Sequence, residues 1–259
     1  MRRTCETKVF ETGVFLVDKP VGPTSFRIVQ QVRRALQIKK VGHTGTLDPF
    51  ASGLLILCVG RPATRMIPRL MDGDKVYEAT LKLGVETDTL DREGQVVANH
   101  QVPAVDTIMV EECLDRFRGE QMQAPPAFSA VKHEGKPLYQ FARQGIIIEK
   151  AARPVLISEL TCTDLSEDTM GIRVRCSKGT YIRTLAADIG RVLGCGAHLT
   201  ALRRLDNGPF SVTAALPGTI LEEREEARAA LLDKFLSIEE IELILRQGEP
   251  GKEVSTQDH

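Results

Sequence analysis

The sequence of 259 residues contains no tryptophan, only three tyrosines and six cysteines. Its longest strongly apolar run, Leu54 to Val59, is far short of the roughly 20 residues needed to cross a bilayer. The cysteines, at positions 5, 58, 113, 162, 176 and 195, form no CxxC pair, and the five histidines form no HxxxH or HExxH pattern. That spacing argues against a disulfide framework and against a metal site. Cys58 and Cys176 lie in apolar runs and read as core fillers. GxxxxGK[ST], GxGxxG after a strand and GxSxG are all absent, which removes the phosphate-loop, dinucleotide and α/β-hydrolase readings. The N-terminus, MRRTCETKVFETG, has basic residues with no apolar stretch behind them. No secretory signal is read there, and a cytoplasmic location is expected.

What is present is an ordinary globular composition, 42% hydrophobic and 27% charged. At about 150 residues per domain, the length suits one large domain, or one domain with an appendage. The formal net charge of −1 is unevenly spread: residues 216–259 hold 11 Asp/Glu against 5 Lys/Arg, leaving a net of +5 on residues 1–215. A mildly basic body is compatible with a polyanionic partner.

Residues 13–18 (GVFLVD) read as a buried strand that the prolines of KPVGP stop. Thr24 or Ser25 can cap a helix over 25–37, with Ile28, Val29, Val32, Ala35 and Leu36 at helical spacing. The stretch 41–53 reads as a loop feeding the apolar strand 54–59. Residues 76–83, 154–164 and 170–176 read as strands. A helix over 107–117 is expected to bury Ile108, Cys113, Leu114 and Phe117, and a second covers 181–193. Residues 121–145, with Pro125-Pro126 and several basic side chains, read as an extended loop and a short helix projecting from the body. The acidic tail is helical by pattern over about 221–245 and polar beyond. Strand and helix signals alternate irregularly, which favours an α+β fold with a mixed sheet.

Within GHTGTLDP (42–49), Asp48 stands between glycines that permit close approach of a ligand and a proline that extends the backbone. The local pattern leaves two readings open: a catalytic acid, or an Asx-turn carboxylate that only organises a loop. Arg183, in KGTYIRT, sits at a strand-to-helix turn suited to anions or is simply an exposed helix-start arginine. Tyr77 and Tyr181 can stack on a base or pack in the core. His43 can structure its own loop, and Lys19 and Arg27 can be solvated surface charges.

Taken together, these segments resemble the TruB-type tRNA pseudouridine synthases of bacteria over roughly residues 12–215. The resemblance is carried by GVFLVDKPVGPTS (13–25), KKVGHTGTLDPFASGLLILCVGRPATR (39–65), DKVYEATLKLGVETDTLDREG (74–94), QAPPAFSAVKHEGKPLYQFARQG (123–145), CSKGTYIRTLAADIG (176–190) and AHLTALRR (197–204).

The resemblance implies a pseudouridine synthase fold, with a central mixed, mainly antiparallel sheet flanked by helices. It implies a catalytic domain over 1–215, and an insertion at about 123–151 that clamps RNA. Residues 216–259 would form a short acidic helical tail in place of the larger RNA-binding PUA domain that many relatives carry. Asp48 is implied as the nucleophile, with Arg183 pairing to it as a bidentate guanidinium. Tyr77 is implied to stack on the target base and assist proton removal at C5. Tyr181 and Leu202 would line the uracil pocket, His43 would fill the space the flipped base leaves, and Lys19 with Pro20 would support the aspartate loop. Lys132, Lys136 and Arg143 would reach phosphates.

The reaction so implied is isomerisation of uridine 55 in the tRNA T-loop. It involves base flipping and needs neither cofactor nor metal. The expected partner is the T-arm of tRNA, bound by a monomer, with no membrane and no obligate protein partner. The alternatives are an RNA-binding or tRNA-folding protein in which catalysis is secondary, and an enzyme acting on free uridine.

Overall fold

The computed structural model of the chain describes residues 10–247. Residues 1–9 of the N-terminal segment read for a signal, and the polar end of the tail beyond 247, lie outside the described residues. From the N-terminus the elements are β1 (Gly13–Lys19), α1 (Ser25–Leu36), β2 (Val41–His43), β3 (Ser52–Val59), α2 (Gly60–Arg65), α3 (Ile67–Leu70), β4 (Lys75–Leu83), β5 (Val85–Thr87), β6 (Val96–Asn99) and α4 (Thr107–Asp115). There follow β7 (Gly119–Gln123), β8 (Lys132–His133), β9 (Lys136–Pro137), α5 (Leu138–Ala142), β10 (Arg153–Leu165), β11 (Thr169–Cys176), α6 (Ile182–Val192), β12 (Ala197–Asn207), β13 (Phe210–Ser211), β14 (Leu216–Pro217), α7 (Arg224–Asp233) and α8 (Ile238–Gln247).

One large sheet runs in the order β14-β1-β3-β12-β4-β11-β10-β7, with β2 added beside β3 and β13 beside β12. Only the β1–β14 and β3–β12 pairs are parallel, so the sheet is mixed and mainly antiparallel, as the resemblance implies.

Side-chain alternation divides the core. Phe15, Val17, Leu55 and Leu57 meet α1 and α7 on one face, while Val14, Leu16, Leu54 and Ile56 meet α2, α3 and α8 on the other. Covered on both sides, β1 and β3 carry unbroken apolar sequence. In the other half, β4, β10, β11 and β12 bury one face under α4 and α6 and present the opposite face to solvent. Their sequences alternate accordingly, as in Met170, Ile172, Val174 and Cys176.

The two halves meet at a narrow seam. β12 pairs with β4 from Ala197↔Leu83 to Asn207↔Lys75, but with β3 only at Arg203↔Ser52 and Arg204↔Gly53. Beyond that seam the sheet parts. Gly53 has φ +103°, and a Cβ there would overlap the Arg204 main chain, so the close approach needs glycine.

Several expectations need correction. Ile108 is 68% exposed rather than buried, because α4 turns Val110, Cys113 and Leu114 inward and Ile108 falls off that face. The segment 41–53 is not all loop: Val41–His43 extends the sheet as β2. Strand β12, whose TALRR run breaks the apolar alternation, has no counterpart among the strands read from the sequence. The helical tail is broken in two. Leu236 exchanges main-chain hydrogen bonds with Val14 (2.8 and 2.9 Å), which pulls the chain out of helix between α7 and α8. Both helices pack on the body, through Ala227 and Leu231 and through Ile241.

Candidate active site

The loop between β2 and β3 brings Asp48 to the parting of the sheet. Three anchors fix it. Ser25, the first residue of α1, is buried; its hydroxyl accepts from Leu47 N (2.9 Å) and donates to Leu47 O (3.0 Å). Lys19 is fully buried and donates to the carbonyls of Pro20 (2.9 Å), Pro23 (2.8 Å) and Pro49 (3.4 Å). Burial lowers its ammonium pKa to about 8. Arg204 donates to Leu54 O (2.7 Å) and Gly45 O (3.4 Å). Within the loop His43 Nδ1 accepts from Gly45 N at 3.3 Å, and burial together with the Arg204 charge holds its pKa below the ordinary value.

Asp48 is half-buried, and its Oδ2 lies 3.0 Å from Arg183 Nε. The Arg183 side chain is only 5% exposed, and every face of its guanidinium is used. NH1 reaches Thr89 O (2.9 Å) and Asp91 Oδ2 (3.4 Å), and NH2 reaches Phe128 O (2.8 Å). The approach to Asp48 is through Nε, and the terminal nitrogens donate to the Thr89 and Phe128 carbonyls, with Asp91 beside NH1. A buried cation needs partners of this kind. Asp91 is itself fixed by Thr89 Oγ1 (2.6 Å) and Glu93 N (3.0 Å). Burial pushes the Asp48 carboxyl above its usual range; Arg183 opposes that rise and Asp91 adds to it.

Tyr77, on β4, is half-buried opposite Arg204 on β12. Burial raises its phenol pKa, with the Arg204 guanidinium opposing. Tyr181 caps α6, where its main chain is gripped by one buried amide: Gln123 Oε1 accepts from Tyr181 N (2.7 Å) and Nε2 donates to Tyr181 O (3.2 Å). Burial raises the Tyr181 pKa as well. Leu202 is buried in the cluster that also holds Leu47, Phe50 and Tyr77. An open cavity of about 570 Å³ adjoins, lined by Val21, Phe50, Arg92 and Leu202, but not by Asp48, Tyr77 or Arg183.

Lys132, Lys136 and Arg143 are exposed on the insertion, away from the ion-pair network, with Arg143 over the Tyr139 ring at 5.4 Å. The insertion touches the network through the Phe128 carbonyl. Among the described residues no cluster of His, Cys, Asp and Glu is arranged to hold a metal ion, and no helix is long and apolar enough to cross a membrane.

The sequence singles out Ser25 only as a helix-cap candidate, and does not single out Asp91, Gln123 or Arg204. Asp91 stood in a turn-forming run, TDTLDREG, where an acid reads as a solvated turn residue. Its burial against Arg183 has no local signal.

A half-buried carboxylate is tied to a buried arginine where a mixed sheet parts, and the family models that match the chain make it a pseudouridylate synthase. The fold agrees. A chain solved in a Cbf5–Nop10–Gar1 complex matches with a TM-score of 0.63 and 28% identity, covering 91% of this chain and 59% of its own length. One from an archaeal box H/ACA Nop10–Cbf5 complex matches at 0.60 and 26%, covering 85% and 60%. The present chain thus spans about three-fifths of those solved chains.

The model of the TruB family pseudouridylate synthase N-terminal domain matches residues 33–182, and that of the tRNA pseudouridylate synthase B C-terminal domain matches 183–241. The chain belongs to the TruB family. Curated relatives named tRNA pseudouridine synthase B include one from Desulfotalea psychrophila, 54% identical over 93% of this chain and 100% of its own. Another, from Chromohalobacter salexigens, is 49% identical over 87% and 74%, and one from Aromatoleum aromaticum is 52% identical over 85% and 71%.

Proposed function

We propose that this chain isomerises uridine to pseudouridine at position 55 in the T-loop of tRNA, with Asp48 as nucleophile, the target base flipped out and no cofactor. The observation that carries the reading is the Asp48–Arg183 pair in its half-buried setting. The reaction exchanges one glycosidic bond for another. The N1–C1′ bond breaks, the uracil turns, C5 bonds to C1′, the C5 proton leaves and N1 gains one. Nothing is oxidised and no group donor is consumed. A covalent carboxylate intermediate, at C1′ of the sugar or C6 of the base, divides this into easier steps.

In this reading Arg183 keeps Asp48 ionised and aimed, and Tyr77 stacks on the uracil and assists loss of the C5 proton. Tyr181 and Leu202 line the base pocket, and His43 occupies the gap in the T-loop. Flipping consumes a few kcal/mol, supplied by contacts of the insertion residues Lys132, Lys136 and Arg143 with phosphates. The reading carries with it a cytoplasmic monomer in which residues 1–215 form the catalytic unit and residues 216–259 an acidic tail. The relatives' names, which specify tRNA, support the substrate.

The test uses unmodified tRNA transcript tritiated at uracil C5. Release of tritium to water, absent with a T-loop-mutated transcript and absent with Asp48→Asn, is the expected result. Release at the wild-type rate by Asp48→Asn would overturn the role of Asp48.

A further inference from the structure

Between Asp18 and Asp72 the sequence holds one acidic residue, Asp48, and nine Lys/Arg. Six of those nine fall within residues 19–40, the stretch that contains α1. Lys19 is consumed by three carbonyls beneath the Asp48 loop. Arg27, Arg34, Lys39 and Lys40 are exposed.

The solvent-facing side of the sheet treats its cations differently. There Arg173 pairs with Glu78 (3.1 Å), Arg175 with Glu159 (2.9 Å) and Lys82 with Asp168. Among the described residues, no ion pair involves Arg27, Arg33, Arg34, Lys39 or Lys40. The acidic helix α7 packs on α1 through Ala227 and Leu231, yet Arg34 takes only the main-chain carbonyl of Glu222 (3.2 Å). Uncompensated positive charge is therefore gathered on α1.

The arginines also frame a concavity. A groove of about 420 Å³ is lined by Pro23, Arg27, Gln31, Arg34 and Glu222, with Glu222 its one carboxylate. Arg27 and Arg34 lie seven residues apart, two helical turns, and so share one face. The Gln31 side-chain oxygen between them has no hydrogen-bond partner. The groove joins the catalytic loop directly. Lys19 Nζ bridges the carbonyls of Pro23, in the groove wall, and Pro49, next to Asp48, and Ser25 is bonded to Leu47.

We infer that this face of α1 is a phosphate-binding ridge for the backbone of the RNA. With Arg27 and Arg34 as its contacts, it grips the substrate at a place separate from the insertion. The inference rests on the proposed function and deepens it. Unpaired guanidiniums in a shallow polar groove suit phosphodiester oxygens, which a fork of N–H donors meets in pairs. Such contacts position the RNA without reading its sequence.

The test is the double variant Arg27→Gln/Arg34→Gln beside Arg27→Lys/Arg34→Lys. RNA binding to unmodified tRNA is measured across a salt series, with C5-tritium release at saturating and limiting RNA. Loss of two phosphate contacts should lower the slope of log K against log salt by about 1.4–1.8, and affinity at 0.1 M salt by roughly tenfold. KM should rise in step while turnover at saturating RNA stays near wild type. The lysine pair should retain most of the slope, which a merely structural role of the arginines would not produce. Wild-type binding and turnover with an unchanged slope and KM in the glutamine pair would overturn the ridge and leave the proposed function standing. A wild-type protein that neither binds nor modifies tRNA would overturn both.

Discussion

Arg183 Nε lies 3.0 Å from Asp48 Oδ2, while the same guanidinium reaches Asp91 Oδ2 at 3.4 Å. One buried cation is thus shared between a half-buried carboxylate and a buried one. Asp91 and the carbonyls of Thr89 and Phe128 hold the arginine, and the arginine orients Asp48.

Removing that cation should expose the division of labour. Arg183→Ala leaves Asp48 and Asp91 without the charge that separates them, and should destabilise the fold by about 3–5 kcal/mol, read by urea unfolding. Arg183→Lys keeps a charge but not the planar fork that serves four acceptors. It should fold, and lose roughly 100-fold or more in tritium release.

The pH dependence follows from Asp48. Its carboxyl is raised by burial and its ionised form is the reactive one, so kcat/KM should fall as pH drops through a value above the ordinary carboxylate pKa of about 4. Asp91→Asn removes a negative neighbour, which lowers the Asp48 pKa and should move the acid limb of the profile to lower pH, along with a drop in rate from the loosened arginine. A limb that moves to higher pH would contradict the network.

Tyr77 separates stacking from proton chemistry. Tyr77→Phe keeps the ring and its place opposite Arg204, so RNA affinity should change by less than about threefold. Turnover should fall by roughly 100-fold or more if the hydroxyl assists C5 proton loss. Filter binding and single-turnover tritium release report the two quantities separately.

The seam of the sheet can be tested away from the chemistry. Gly53→Ala places a Cβ against the Arg204 main chain at φ +103° and should cost about 3 kcal/mol in urea unfolding from strain and overlap together. Gly179, also at positive φ (+86°) but with open space around it, should lose about 1 kcal/mol on the same change.

By itself the sequence determined much of this protein. Unbroken apolar runs marked β1 and β3 because both their faces are covered, and alternation marked β4 and β11 because one face is. The cap at Thr24 and the spacing of Ile28 to Leu36 set α1, and the motif resemblance pointed to Asp48, Tyr77 and Arg183. All of these signals are local, or come from a contiguous motif. The tertiary structure alone decided the rest, where long-range pairing overrides local pattern. Strand β12 carries arginines because Arg203 and Arg204 staple it to Asp18 and to Leu54 O, contacts 185 and 150 residues away. Asp91 becomes a buried counter-charge because the β5–β6 connection meets β12 and the first turn of α6, and Gln123 becomes a support for Tyr181 across 58 residues. A buried polar group shows its role only with its partner, and in this fold the partners come from distant parts of the chain.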